Sequence, residues 1–311
     1  MLQKSKAVVL VKLEAGGYGV DPVPTAAANA ILCSAPEVES LGRRIERANV
    51  KPHYGAQTGF NIGEGVKVSF TTELKGSGAL GVAPEIGPLL RACNFTETVT
   101  PDTQVDYDPN SDASTGESVT IYFYRHNILH KVSGCRGTFG VELKAGEYGN
   151  VKFDFTGLWQ GPVDQNIPAD PVFNETDPAR VLSAAFAIDG YAAVIENFKF
   201  DAGNEIARRN SANAATGILE YFIKGRSIKG ECDPEAVALA TKNFWSMWET
   251  SAQVALSATV GSAAGNKCVI TAPKVQLDVP KYGDRENILT YALPIIFTPD
   301  AGNDEISLSF Q

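Results

Sequence analysis

A glycine motif near residue 80 is the strongest suggestion of chemistry in the sequence. Gly76, Gly78 and Gly81 have the GxGxxG spacing of a dinucleotide-binding turn and lie between a strand pattern and a helix pattern. However, the preceding strand alternates polar and apolar residues, Pro88 falls inside the helix pattern, and no second βαβ unit follows. A flexible loop is therefore favoured, and a nicotinamide-dinucleotide-binding enzyme is kept as an alternative function.

An acidic segment between residues 106 and 117 has the oxygen spacing of a calcium loop. Its oxygen-bearing side chains stand at positions 1, 3, 5, 7, 9 and 12 of such a loop, and they are Asp106, Asp108, Asn110, Asp112, Ser114 and Glu117. The loop lacks the glycine of position 6, has Pro109 at position 4, and is flanked by strand patterns instead of helices. We expect an acidic, solvated hairpin loop, with a calcium-binding adhesion module as a second alternative.

The histidines do not form a recognisable catalytic arrangement. The chain has three, His53, His126 and His130, and the last two lie in a run that is typical of a β-hairpin. HExxH, GxSxG and P-loop motifs are absent from the sequence. A nucleophile with a matching base cannot be assigned, so the sequence predicts a protein that is not an enzyme, with no cofactor and no metal.

Composition excludes several function classes. The chain has 311 residues, 44% of them hydrophobic, and a net charge of −9 from 27 basic and 36 acidic side chains. Tight nucleic-acid binding is not expected, because the only basic pairs are Arg43-Arg44 and Arg208-Arg209. Neither a membrane span nor a secretion signal is recognisable, and five widely spaced cysteines indicate reduced core residues made in a cytoplasm.

The positions of these residues depend on elements that are mainly β-strands. Val66, Val68 and Phe70 alternate with polar residues, and the same alternation occurs at 139–143, 151–155, 275–279 and 289–293. One short helix is expected in each half, over 84–93 and 234–248, with Asp233 and Pro234 as the cap and first residue of the second.

The order of elements repeats along the chain. The late strands of the two halves align, 139–143 with 275–279 and 151–159 with 289–297, and a Tyr-Gly pair is expected in the turn of each, at Tyr148-Gly149 and Tyr282-Gly283. A segment with four prolines lies between the halves. The sequence therefore predicts two related β domains, 1–160 and 181–311, joined by a proline-rich linker at 161–180.

Several stretches in a fixed order resemble the major tail tube proteins of long, non-contractile-tailed bacteriophages. None of these turn and packing motifs is specific alone, but together they cover nearly the whole chain. They are residues 18–32, 76–95, SVTIYFY at 118–124, 130–137, FTGL at 155–158, Gly190-Tyr191, YGD at 282–284 and AGNDE at 301–305.

The resemblance implies a mainly β subunit with flanking helices, a β-sandwich or half-barrel, duplicated in tandem in this chain. Such subunits form stacked rings around a hollow tail tube through which phage DNA passes into the host. A tape-measure protein would fill the lumen, and tail terminator and distal tail proteins would bind the ends of the tube. Three chains would give a ring with pseudo-sixfold symmetry, and a ring of six chains is the alternative. The expected location is the virion tail, after assembly in the host cytoplasm.

Two sets of residues are candidates for roles in such a tube. Acidic residues on polar strand faces would line an electronegative lumen that does not hold DNA phosphates, and they are Glu73, Glu142, Asp154 and Asp278. A contact between rings is expected from an irregular acidic loop that contains Asp106, Asp108, Asn110, Asp112 and Glu117. Irregular segments at 18–30, 102–117 and the linker are the candidates to become ordered only in the polymer.

Overall fold

The computed structural model describes residues 6–62, 65–112, 115–182 and 184–311, and within these ranges the chain consists mainly of antiparallel β-strands. The first half contains the strands β1 Ala7–Leu13, β2 Ala30–Ile31, β3 Cys33–Ser40, β4 Arg43–Ile45, β5 Phe60–Ile62, β6 Gly65–Glu73, β7 Phe95–Thr100, β8 Gln104–Pro109, β9 Val119–Arg125, β10 Ile128–Lys144 and β11 Asn150–Asp164. The second half contains β12 Ala187–Ile188, β13 Asn197–Asp201, β14 Asn204–Asn210, β15 Ile218–Arg226, β16 Lys229–Cys232, β17 Gln253–Val260, β18 Cys268–Leu277, β19 Lys281–Arg285, β20 Ile288–Thr298 and β21 Ser307–Phe310. The helices are short: α1 Ala26–Asn29, α2 Gly87–Ala92 and α3 Phe244–Glu249. None of the described helices has the length and hydropathy needed to cross a membrane.

The prediction of a mainly β fold is confirmed.

Eight of the described strands form one continuous antiparallel sheet, which we call the main sheet. Their order is β3-β6-β11-β10-β13-β16-β20-β18. The first four strands belong to the first half of the chain and the other four to the second half. Within each group of four, the spatial order is first, second, fourth and third along the chain. The pairing of β10 with β13 joins the two groups.

The remaining strands extend from the main sheet. Strands β9, β1 and β2 continue from the first part of β10, and β21, β8 and β7 continue from the first part of β18. On the other edge of β18, β17 and then β12 follow, and β19 pairs with the first part of β20. The pairs β4–β5 and β14–β15 are separate two-stranded hairpins. Along the chain, each of these hairpins lies between the first and second strands of one group of four, β4–β5 between β3 and β6 and β14–β15 between β13 and β16.

The alternation of apolar residues explains why these strands form a sheet with one buried face. Val66, Val68 and Phe70 on β6 are at most 2% exposed, and Phe153 on β11 is fully buried opposite Phe70. One cluster of buried residues includes side chains from both halves, such as Phe139, Phe200 and Phe297. The division into domains at 161–180 stays a prediction. This core and two strand pairings, β10–β13 and β8–β21, join the parts of the chain on either side of it.

Helix α2 is confirmed, with a slightly later start than the pattern predicts. It begins at Gly87, and the side chains of its residues Leu89 and Leu90 are fully buried. Pro88 lies in the first turn, where a backbone N–H has no partner within the helix. Proline at this position therefore starts the helix and does not break it.

The prediction for the second helix is wrong at its start. Helix α3 begins after Asn243, whose side-chain oxygen accepts a hydrogen bond from the Ser246 amide at 2.9 Å. Asp233 does not cap a helix, because its carboxylate accepts from the amides of Glu196 and Asn197 at 2.9 and 2.8 Å. Residues 239–241 form an exposed turn, in which Leu239 is 57% exposed, so this part of the apolar spacing does not mark a helix.

The turns with Tyr-Gly pairs also differ from the prediction. Tyr148 lies just after the β10–β11 turn, but Tyr282 and Gly283 lie within β19. The turn of the β19–β20 hairpin is formed by Glu286 and Asn287, which both have positive φ. The β19–β20 hairpin thus lengthens the connection between β18 and β20 by an additional strand.

The predicted linker starts later and is attached to the body of the protein. Strand β11 continues to Asp164, and residues 165–179 have neither helix nor strand. The Asn174 side chain donates to the Gly76 carbonyl at 2.9 Å, and the Val172 amide donates to the Ala26 carbonyl at 3.0 Å. Phe173 packs on a small apolar cluster around Tyr122 and Tyr124.

Candidate lumen face and assembly surfaces

Three of the four candidate lumen acids lie in one row across the main sheet. Residues that are directly opposite in an antiparallel sheet project to the same face. Following the register from β6 to the end of β18 gives the row Glu73, Asn150, Glu142, Lys199, Glu231, Pro294 and Asp278. The last step is the Asp278 amide, which donates to the Pro294 carbonyl at 2.9 Å.

The fourth candidate, Asp154, lies on the same face of β11 as Asn150. It is opposite Ser69 on β6 and Thr138 on β10. All four candidate acids therefore share the polar face of the main sheet, which we call the candidate lumen face. That this face lines a lumen stays a proposal.

Lysines alternate with the acids on the candidate lumen face. A hollow of about 730 Å³ on this face is lined by Glu142, Lys152, Lys199, Asp201, Lys229 and Glu231, among others. The Lys199 ammonium is 2.9 Å from the Glu231 carboxylate, and Asp154 lies between Lys67 at 3.2 Å and Lys152 at 3.6 Å. The face thus carries both signs of charge. Only its acids were candidates in the sequence, although the lysines occupy the same polar strand positions.

Glu73 differs from the other candidate acids because it pairs with a buried cation. Its carboxylate is 3.1 Å from the Lys75 ammonium, and the Lys75 side chain is 5% exposed. Lys75 also donates to the Asn174 carbonyl at 2.8 Å. Nearby, burial raises the pKa of Glu85, while a hydrogen bond from the Leu32 amide partly offsets this effect. We infer that the main role of Glu73 is to stabilise the end of β6.

The glycine motif is used for close packing between backbone segments. The Gly78 amide donates to the Gly265 carbonyl at 3.0 Å, and the Gly76 amide donates to the Asn266 side chain at 2.9 Å. A Cβ atom added at Gly76 would overlap the Gly265 carbonyl oxygen. The amides that would hold a pyrophosphate therefore already have partners in the chain, which disfavours the dinucleotide alternative.

The acidic segment is only partly a loop, which corrects the prediction for 102–117. Asp106 and Asp108 lie within β8, and Asp106 accepts hydrogen bonds from Gln104, at 2.8 Å, and from Ser309. Glu117 makes a two-point ion pair with Arg91 of α2, with both distances at 2.6 Å.

This arrangement does not resemble a calcium site. Ser114, one of the proposed oxygen donors, lies outside the described residues. Among the described residues no group of three or more His, Cys, Asp or Glu side chains could hold a metal ion. Asn110 and Asp112 remain in the connection after β8, and the Asn110 carbonyl accepts from Arg226 at 3.0 Å.

His130 is partly buried and packs between two aromatic rings. Its ring centroid is 6.1 Å from that of Phe123 and 5.7 Å from that of Trp159. Burial lowers the pKa of His130, and Arg125 lowers it further. His126 occupies the turn between β9 and β10, with a φ of 54°, as the hairpin prediction requires.

The longest exposed segment among the described residues is one that the sequence does not identify. Residues 41–62, which include β4 and β5, form an arm in which nearly every residue is exposed. Val50 is 100% exposed, Tyr54 is fully exposed and Phe60 is 60% exposed. The absence of apolar periodicity at 46–59 was the available signal. By contrast, Tyr18 in the segment 18–30 is fixed, because its hydroxyl donates to Gly134 at 2.8 Å.

The comparisons with known proteins agree with this architecture. The family model described as phage tail tube protein matches residues 4–310. No curated protein sequence matches the chain. With a family match over nearly its whole length and a mainly β fold, the chain belongs to the phage tail tube protein family, a family of structural proteins of the virion tail.

Proposed function

We propose that this protein forms rings that stack into the hollow tail tube through which phage DNA passes. The observation that carries the proposal is the main sheet, in which two groups of four strands with the same order lie side by side. Family membership supports assembly into a tube. The repeated order supports a tandem duplication, in which each half of the chain supplies one tube unit.

The junction between the two halves suggests how chains join in a ring. Within the chain, residues 140–144 of β10 pair with the first strand of the next group, β13. At the end of the main sheet, β17 pairs with β18 only as far as Gln276, so that Leu277 and the residues after it extend beyond β17. At the other end, β3 pairs only with β6 among the described strands. We propose that β3 of one chain continues the sheet beside the end of β18 in the next chain.

Ring closure in this manner favours three chains. Three chains would place six groups of four strands around the bore, which gives pseudo-sixfold symmetry. A ring of six whole chains is the alternative, and it would place twelve such groups around a wider bore.

In the assembled tube the candidate lumen face would line the bore. A polar surface of mixed charge stays hydrated, and its ion pairs leave few isolated lysines to hold a phosphate. Glu142, Asp154 and Asp278 remain our candidates for lumen-lining acids, together with Glu73, which lies in the same row as Glu142 and Asp278. A tape-measure protein would occupy this bore before DNA, and terminator and distal tail proteins would bind its ends. Assembly would take place in the host cytoplasm, without catalytic activity or a cofactor.

The purified protein tests this proposal. Negative-stain microscopy should show rings or tubes, and native mass measurement of single rings should give three times the mass of one chain. A sixfold mass would support the alternative ring. Protein that remains monomeric at every concentration and salt condition, without rings or tubes, would contradict the proposal.

A further inference from the structure

Both separate hairpins leave the main sheet at the same end. Strands β3 and β13 run in the same direction, because an even number of antiparallel steps separates them. The arm 41–62 follows β3, and the β14–β15 hairpin, 204–226, follows β13. Arg43 and Ile62 of the arm line a hollow together with Arg208 and Ile218 of the other hairpin, so the two lie side by side. We call this end of the sheet the hairpin end.

The two hairpins of the hairpin end are basic although the whole chain is acidic. The arm and the β14–β15 hairpin together contain eight basic and three acidic residues, whereas the connection after β20 at the same end adds three acids, Asp300, Asp304 and Glu305. Each has an Arg-Arg pair on its first strand, Arg43-Arg44 on β4 and Arg208-Arg209 on β14, and all four residues are exposed. Three basic residues of the β14–β15 hairpin are in ion pairs, Arg209 with Glu220 at 2.9 Å, Lys224 with Glu205 at 2.7 Å and Arg226 with Glu305 at 2.9 Å. The excess positive charge therefore lies mainly on the arm, which has four basic residues and one acidic residue.

The opposite end of the main sheet is acidic. Four of its connections are residues 145–149, 194–196, 233–235 and 278–288, which together contain seven acidic and two basic residues, and the connection after β6, 74–86, adds one of each sign. One of the two bases, Arg285, contacts three carboxylates, at 3.1 Å for Glu196, 2.7 Å for Asp233 and 3.7 Å for Glu235. One guanidinium cannot neutralise three carboxylates, and the acids of the β19–β20 turn region are exposed in addition. We call this end the acidic end.

Exposed apolar residues occur at both ends as well. Val50 and Tyr54 lie on the arm, and Tyr282, Ile288 and Leu289 lie on the β19–β20 hairpin of the acidic end. Tyr282 is 61% exposed and its ring is 5.5 Å from that of Trp245. An apolar centre with surrounding charges of opposite sign is the composition of a protein interface.

We propose that the hairpin end of each chain docks onto the acidic end of a second copy of this chain in the adjacent ring. This inference rests on the proposed tube. Because the two contacting surfaces differ, the contact is heterologous and repeats without closing, which produces an open stack with one direction. The charges set the polarity, since two hairpin ends or two acidic ends would repel each other.

Charge reversal at the hairpin end tests the inference. The R43E/R44E variant should raise the protein concentration at which tubes form by about tenfold or more, while rings persist. The matched control is K152E/K229E, which reverses two lysines that line the hollow on the candidate lumen face and should form tubes near the unmodified concentration. Adding D284R and E286R to R43E/R44E should restore much of the stacking, because it exchanges the charges of the two ends. Sedimentation and microscopy report rings and tubes separately.

The outcomes separate this inference from the proposed function. If the unmodified protein forms tubes and R43E/R44E forms them at the same concentration as the control, the docking of these ends is wrong although the tube proposal stands. A failure of D284R/E286R to restore any stacking would also overturn the pairing of the two ends. If the unmodified protein forms neither rings nor tubes, the proposed function fails and this inference fails with it.

Discussion

Replacement of Glu73 by glutamine should destabilise the subunit, although Glu73 lies on the polar face of a strand. The E73Q change removes the only carboxylate within ion-pair distance of the Lys75 ammonium among the described residues, and the Lys75 side chain is 5% exposed. Removing one partner of a buried ion pair costs about 3–5 kcal/mol, and the partial exposure of Glu73, at 28%, reduces this to about 2–3 kcal/mol. With an unfolding entropy of about 2.1 cal/mol/K per residue, the melting temperature should fall by about 3–5 °C.

The matched control is E142Q, which changes an exposed glutamate in the same row of the sheet. Glu142 is exposed, so its replacement should change stability by less than about 0.5 kcal/mol. The double variant E73Q/K75M should recover part of the loss, because it removes the unpaired charge. Calorimetry on the unassembled subunit measures all three. Equal melting temperatures for E73Q and E142Q would refute the structural role of Glu73.

Three other expectations concern the glycine motif, a partly buried carboxylate and the lumen. G76A should lower the free energy of unfolding, measured with denaturant, by about 1–3 kcal/mol, because the new Cβ overlaps the Gly265 backbone. The control G225A, where the added Cβ meets no atom within 4 Å, should be nearly neutral, and equal losses for the two variants would contradict the packing role. Burial raises the pKa of Glu85, so the native state binds a proton more readily than the unfolded chain, and this carboxyl favours folding at low pH and opposes it as pH rises through the raised pKa. E85Q should therefore be more stable than the unmodified protein at neutral pH, with the difference vanishing near pH 3.5 in thermal melts, and a constant difference at all pH values would count against the assignment. E142K phage should assemble normally but release DNA more slowly in a fluorescence ejection assay, and release at the unmodified rate would argue against a lumen position.

The fold class was predictable from the sequence because alternation along single strands is a local signal. The alternating residues of β6 and β11 identify both strands and their buried faces, and α2 follows from the spacing of Leu89 and Leu90. The start of α3 was not predictable in the same way. The Asp233-Pro234 pair resembles a helix cap locally, but Asp233 instead binds the β13 backbone and Arg285, residues that are distant in the sequence.

The alignment of the two halves shows a similar limit. Glu142 and Asp278 match in the sequence and also occupy equivalent positions in the row of the candidate lumen face. Their neighbours across the sheet are Asn150 and Pro294, although the sequence alignment pairs Val151 with Leu289. The β19–β20 hairpin accounts for this shift, since its additional residues move the pairing part of β20 further along the chain.

The candidate site was predictable only in part because it is a surface and not a motif. The polar strand positions of the four acids were evident, but the partners of each acid depend on strand register. Lys75 is buried beside Glu73 only because residues 174–177 cover the end of β6. The exposed arm was missed because no periodic pattern marks 46–59. The segment at 106–117 was predicted to be entirely a loop because Pro109 and the acidic residues are atypical of a strand, although β8 extends to Pro109.

A helical reconstruction of the assembled tube by electron cryomicroscopy tests the central claim most directly. The account predicts three chains in each ring, six groups of four strands around the bore, and the row that contains Glu142, Lys199 and Asp278 facing the lumen. A tube in which this row lies on the outer surface, or in which the two halves of a chain do not occupy equivalent positions around the ring, would contradict it.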